Sequence, residues 1–216
     1  MKLAKGSKLV VIGDSIADAG RTKEPVSEGL FDPLGRGFVT QVEALLGATY
    51  PERRIRVANV GCSGHTVRDL KERWDRDVLA IQPDWLAVLI GINDVWRQFD
   101  LPRQTELHVL PDVYARTLEE LVAPTRPKVK GLVVMSPFYI EPNRADAMRS
   151  RMDEYGAIAK GIAAKHDALF VDVQAAFDRV LPHMHANAIA WDRVHPNHIG
   201  HAVIARAFLN AVGVPL

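Results

Sequence analysis

Continuous apolar runs alternate along this chain with segments whose apolar residues return every three or four positions. The first run, Val10-Val11-Ile12, reads as a strand covered on both faces. It passes straight into Gly13-Asp14-Ser15. Comparable runs predict strands over 55–60, 85–90, 129–135 and 168–173. Between them, Val39, Val42, Leu45 and Leu46 have helical spacing over 38–46, with Pro51 as the stop. Leu70, Trp74 and Val78 share one face of a helix over 66–79, and Pro111-Asp112 opens another to about 125. Met152, Tyr155, Ile158, Ala159 and Ile162 line the inner side of a helix over 148–166. Further helices are expected over 174–181 and from the tail to about 212. After Ser15 a short turn or helix start should give way to a polar loop rich in Gly and Pro through Gly37. Residues 95–110 contain Pro102 and few periodic apolar positions, so a long loop beside the strand ends is expected there.

Strands that alternate with helices imply a parallel sheet with right-handed crossovers. The expected architecture is an α/β fold, a three-layer α/β/α sandwich on a five-stranded parallel sheet in the order 2-1-3-4-5. The 216 residues suffice for one large domain of this kind, spanning 1–216, and no repeat or linker divides them. Net charge is +1, with Lys and Arg scattered, so neither nucleic acid nor an anionic membrane is an expected partner. Cys62 is the only cysteine, which excludes an internal disulfide. No apolar leader precedes the first strand and no run approaches transmembrane length, so a cytoplasmic protein is expected.

Candidate chemistry gathers in four polar blocks: Gly13-Asp14-Ser15, Asn59 to Gly64, Gly91 to Asp94, and Asp192 to His195. The first three follow strands, and in a parallel sheet they meet at one edge, where ligands bind. Taken alone, Gly13-Asp14-Ser15 also fits a turn that caps the next helix. Together the blocks supply a serine, a glycine-rich turn with backbone N–H groups and an asparagine amide, which acyl transfer requires. His195 precedes Pro196 and so belongs on an extended loop, with Asp192 in reach of its ring.

The four blocks, in this order and over nearly the whole chain, resemble the SGNH hydrolases, the GDSL family of esterases and lipases. The resemblance implies Ser15 as nucleophile with Asp192 and His195 completing a triad. It also implies an oxyanion hole from the Ser15 and Gly64 N–H groups and the Asn93 amide. Ile16-Ala17-Asp18-Ala19-Gly20-Arg21 after Ser15, Val95-Trp96-Arg97 after Asp94, Ser136-Pro137-Phe138-Tyr139-Ile140-Glu141, and Ala190-Trp191 before Asp192 narrow it further. These segments are similar to intracellular bacterial acetylxylan esterases. That implies removal of acetyl groups from short xylo-oligosaccharides, no cofactor, and assembly as a homo-oligomer, up to a ring-like octamer. Other acyl substrates in the same superfamily are thioesters, lysophospholipids and aryl esters. A phosphate-binding turn at Gly13 to Gly20 is the rival outside the enzymes, but it lacks a Walker lysine.

Other residues receive structural readings. Asp14 and Asp94 should accept backbone N–H bonds. His198 and His201 repeat the spacing of His195 but find no fourth partner, so no metal is expected; His198 should be exposed and His201 packed. Trp96 and Trp191 are candidate substrate contacts, Trp191 alternatively a subunit contact. Trp74 and Trp85 should be core, Arg56 and Arg97 solvated surface charge or else contacts to an oligosaccharide, and Cys62 a buried, inert side chain without an acidifying partner. Residues 183–191 carry apolar positions outside any expected element and read as an exposed contact patch.

Overall fold

A computed structural model describes residues 1–23 and 32–214. Its sheet is parallel throughout, with strands β1 (Lys8–Gly13), β2 (Arg56–Asn59), β3 (Trp85–Leu89), β4 (Gly131–Met135) and β5 (Leu169–Val171) in the order β2-β1-β3-β4-β5. The order is the expected one. β1, β3 and β4 occupy the middle, and almost every side chain on them is buried, which is why they read as unbroken apolar runs. Gly13 pairs with Leu89 and Leu89 with Met135, so these strands end level with one another.

The helices are α1 (Ser15–Asp18), α2 (Phe38–Thr49), α3 (Val67–Trp74), α4 (Ile92–Asp100), α5 (Pro111–Thr125), α6 (Ala147–Lys165), α7 (Val173–Asp178), α8 (Ala186–Ile189) and α9 (His198–Ala211). The chain steps from β1 outward to β2, then jumps back to β3. Right-handed crossovers therefore set α2 on one face and α3, α5 and α6 on the other. The packing agrees: α2 lies against α9, and α5 against both α3 and α6. Three layers result. No helix among the described residues is long and apolar enough to cross a membrane.

The largest departure from the sequence reading is at 95–110. Its first part is helical, because α4 begins at Ile92 and runs to Asp100. The inner face of α4 combines Ile92 and Val95 with the buried polar residues Asn93 and Asp94, so its apolar stripe is too short to show as a period. Elsewhere the boundaries move less. The turn at Asp75–Leu79 that prolongs α3 is a π turn, α7 stops at Asp178, and α8 forms where no element was expected. Part of the expected loop before Gly37, residues 24–31, lies outside the described residues.

Candidate active site

The centre of the site is the turn out of β1. A Cβ on Gly13 would lie 2.4 Å from the Leu89 carbonyl oxygen, so only glycine fits where β1 leaves β3. Asp14 caps α1 through Oδ1, which accepts the Ile16 N–H at 2.9 Å. Ser15 is the first residue of α1, and its Oγ lies 2.9 Å from His195 Nε2. The other ring nitrogen, Nδ1, lies 2.6 Å from Asp192 Oδ2. Asp192 Oδ1 also accepts the backbone N–H groups of Val194, at 3.0 Å, and His195, at 2.7 Å. Burial alone would raise the Asp192 carboxyl. The ring and backbone hydrogen bonds outweigh it and hold the group below the usual carboxylate range. Both readings of Gly13-Asp14-Ser15 are therefore true at once: Asp14 caps a helix, and Ser15 faces the histidine.

The loop that carries the pair is tied to the segment after β4. The Arg193 carbonyl accepts the Ile140 N–H at 2.9 Å, and the Arg193 guanidinium pairs with Glu141. Arg193 itself takes a left-handed φ of 62°, which closes the short loop between Asp192 and His195.

The glycine-rich turn after β2 is fastened from three sides. Asn59 Nδ2 donates to the carbonyls of Ala17 and Leu34 at 2.6 and 2.7 Å, and its Oδ1 accepts the Gly61 N–H at 2.9 Å. Asp18 Oδ2 accepts both the N–H and the hydroxyl of Ser63 at 2.9 Å. Buried Arg73 donates to the carbonyls of Gly13 and Val60 and pairs with Asp77 at 2.8 Å. Gly64 follows with φ of 82°. Neither its N–H nor that of Ser15 is bonded to another described residue. Sequence reasoning missed the parts of Asn59, Asp18 and Arg73; the available signal was a charged residue, Arg73, beside Trp74 on the inner side of α3.

Asn93 sits in the first turn of α4 and is buried. Its Nδ2 donates to the His65 carbonyl at 3.0 Å, which sets the amide beside the peptide that follows Gly64. The structure thus brings Ser15, His195, Asp192, Gly64 and Asn93 to the C-terminal edge of the sheet, beyond β1, β2 and β3. The Trp96 ring meets His195 edge-on, with centroids 5.6 Å apart. A cavity of about 320 Å³ opens beside Ser15 and His195, lined also by Ile16, Ala19, Arg36 and His198.

Several side chains are placed as expected. Asp14 and Asp94 are buried, and Asp94 Oδ1 accepts the Val67 N–H at 3.0 Å. Burial pushes both carboxyls up to about 7, and each keeps one oxygen without a partner among the described residues. His198 is exposed. His201 is buried with Nδ1 accepting the Phe38 N–H at 3.2 Å, and burial lowers its ring to about 4. Trp74 and Trp85 are core.

Three readings change. Cys62 is half-buried, with the Arg21 guanidinium 3.8 Å from its Sγ, so it is neither sealed off nor without a cationic neighbour. Arg97 is not solvated surface charge; it donates to Asn93 Oδ1 at 3.2 Å and lies over the Trp96 ring. The apolar patch at 183–191 dissolves, because Ala186, Ile189 and Ala190 pack into the protein's own core. Trp191 stays outside, 80% exposed, and so does Ala188.

Known proteins resemble this chain over nearly its whole length. Residues 11–203 match the model of the GDSL-like Lipase/Acylhydrolase family. The chain is 55% identical over 213 residues to an acetylxylan esterase of Geobacillus stearothermophilus, covering 99% of this chain and 97% of that one. The crystal structure of that organism's acetylxylan esterase Axe2 superimposes with a TM-score of 0.95, at 55% identity and the same coverage. LAE5, an α/β hydrolase enzyme from the metagenome of Lake Arreo, Spain, superimposes with a TM-score of 0.97 at 57% identity, covering 99% of this chain and 98% of that one. Structures described as catalytic mutants of Axe2 carry alanine in place of a serine, an aspartate or a histidine.

Proposed function

This chain belongs to the GDSL-like lipase/acylhydrolase family and is a carboxylic ester hydrolase, and from that premise we propose that it removes acetyl groups from acetylated xylo-oligosaccharides through Ser15, His195 and Asp192. The observation that carries the reading is the hydrogen-bonded row from Ser15 Oγ through His195 to Asp192. His195 Nε2 takes the hydroxyl proton as Ser15 Oγ bonds to the acetyl carbonyl carbon. The carbonyl oxygen becomes an oxyanion, held by the N–H groups of Ser15 and Gly64 and by Asn93 Nδ2. The oxyanion collapses, the ester C–O bond breaks, and His195 gives its proton to the departing sugar hydroxyl. Water, deprotonated by His195, then attacks the acetyl-serine, and acetate leaves with Ser15 restored. Asp192 keeps Nδ1 protonated and balances the imidazolium.

The substrate class rests on the likeness to acetylxylan esterase, since a fold and a triad serve many acyl groups. Trp96 beside His195, and exposed Trp191 next to Asp192, offer aromatic faces for sugar rings. An isolated tryptophan as exposed as Trp191 also suits a subunit contact, so the active form is proposed as a cytoplasmic homo-oligomer, up to an octamer, with this residue at or near an interface.

The test compares deacetylation of peracetylated xylobiose with hydrolysis of aryl esters of rising chain length. Acetyl esters should be the best substrates and octanoyl esters poor ones. Ser15→Ala should fold normally and lose on the order of a million-fold in kcat. A preference for long acyl chains would move the enzyme to the lipase side of its family, and activity retained by Ser15→Ala would reject the nucleophile.

A further inference from the structure

We propose that Arg97 is a positioning residue for the oxyanion hole: it fixes the orientation of the Asn93 amide and draws electron density from it. The inference rests on the reading of Asn93 as an oxyanion donor. An asparagine amide has two ends of nearly equal size, and a half-turn would present its oxygen, rather than its N–H, to a developing oxyanion. Two contacts decide between them. The His65 carbonyl can only accept, and it faces Nδ2 at 3.0 Å. The Arg97 guanidinium can only donate, and its Nη2 lies 3.2 Å from Oδ1. Both demand the same orientation, which leaves the second Nδ2 proton for substrate.

The donor here is a permanent cation. A charge-assisted bond to the amide oxygen polarises the amide and strengthens its N–H as a donor, and the effect is larger because Asn93 is buried. Arg97 lies one helical turn beyond Asn93, so both ride on the same face of α4. Its own position is determined at two further points. Nη1 pairs with Asp100 near the end of that helix. The guanidinium carbon Cζ lies over the Trp96 ring, 4.8 Å from its centroid, and that ring meets His195 edge-on. The cation that bonds Asn93 is thereby itself held in place by Asp100 and Trp96.

A double-mutant cycle tests this with an aryl acetate, reading kcat and KM separately for Arg97→Ala, Asn93→Ala and the double variant. Arg97→Ala should lower kcat about tenfold, against the hundredfold or more lost with the donor itself, and leave KM within about twofold. In the Asn93→Ala background the same change should alter kcat less than about twofold, since nothing remains for Arg97 to orient. Arg97→Lys, which keeps a cation near Oδ1, should recover part of the loss. The rate at which a dialkyl aryl phosphate modifies Ser15 should follow the same pattern. It also builds charge on an oxygen in the hole, yet it does not depend on which ester the enzyme prefers, so it separates this inference from the substrate assignment. Equal losses from Arg97→Ala in both backgrounds would overturn the proposal, as would a change in KM alone or an Asn93→Ala variant as fast as wild type.

Discussion

Asp192 bonds His195 twice, through Oδ2 to the ring Nδ1 at 2.6 Å and through Oδ1 to the backbone N–H at 2.7 Å. The three-residue separation makes this possible, because the left-handed turn at Arg193 brings the backbone of His195 under the carboxylate that holds its ring. The two bonds fix the ring's orientation and its tautomer together. Nδ1 must carry the proton, which leaves Nε2 free to accept one from Ser15.

Asp192→Asn should therefore be far more damaging than its shape suggests. An amide has one acceptor end, but the loop asks for acceptors at both ends. If the oxygen faces the ring, the amide N–H₂ opposes the backbone N–H; if it is reversed, the ring must turn its proton toward Ser15. The expected result is a loss of about 10⁴-fold in kcat, together with a lower melting temperature. Parallel kinetics and thermal denaturation check it, and a variant within tenfold of wild type would show that the carboxylate does not set the tautomer.

His201 makes stability depend on acid. Burial holds its ring at about 4 in the folded protein, against about 6.5 in an unfolded chain. Between these values the unfolded chain binds more protons, so stability rises with pH there, and the contribution is lost as pH falls from about 6.5 through about 4. His201→Gln can still accept the Phe38 N–H but cannot titrate. The drop in melting temperature between pH 7.5 and pH 4.5 should be smaller in the variant than in wild type. An equal drop in both proteins would mean that His201 is not held neutral.

Asp94 acts with the opposite sign. Its carboxyl is raised to about 7 by burial, far above the unfolded value of about 3.8. The folded protein binds the extra proton, so this contribution is complete below about 3.8 and is lost as pH rises through about 7. Asp94→Asn retains an oxygen for the Val67 N–H. Its melting temperature should decline less between pH 5 and pH 9 than that of wild type, even if the variant is less stable throughout. Parallel decline would assign the alkaline loss to other groups, Asp14 first among them.

The sheet was legible because β1, β3 and β4 are buried on both faces and so leave unbroken apolar runs, and the site was legible where its blocks follow those strands. What could not be read is physically of one kind: polar residues turned inward. Asn93 and Asp94 masked the start of α4, Arg97 looked like surface charge and Arg73 drew no reading, because a guanidinium shows its burial only through the partners that the fold brings to it. The segment 183–191 failed in the opposite sense. Ile189 and Ala190 find core neighbours that the sequence does not announce, and Pro196 and Ile189 close on Gly200 of α9.

The serine turn depends on a missing methyl group, and two glycines separate that claim from a general sensitivity to substitution. At Gly13 a Cβ would sit 2.4 Å from the Leu89 carbonyl oxygen and 3.2 Å from the Ala17 side chain. The carbonyl is backbone in a central strand that pairs with Gly13 itself, so it cannot swing aside as a flexible side chain would. Gly13→Ala must push β1 away from β3 or tilt the turn, two residues before Ser15. It should cost about 1–3 kcal/mol of stability and lower kcat as well, because Ser15 Oγ moves relative to His195. At Gly161, exposed within α6, a Cβ meets nothing within 4 Å. Gly161→Ala should gain up to about 1 kcal/mol, from better helix propensity, with unchanged activity. Urea denaturation and aryl acetate kinetics on the two variants decide the matter. If Gly13→Ala matched wild type in both measurements, the close approach of β1 and β3 would not be what holds Ser15 in place.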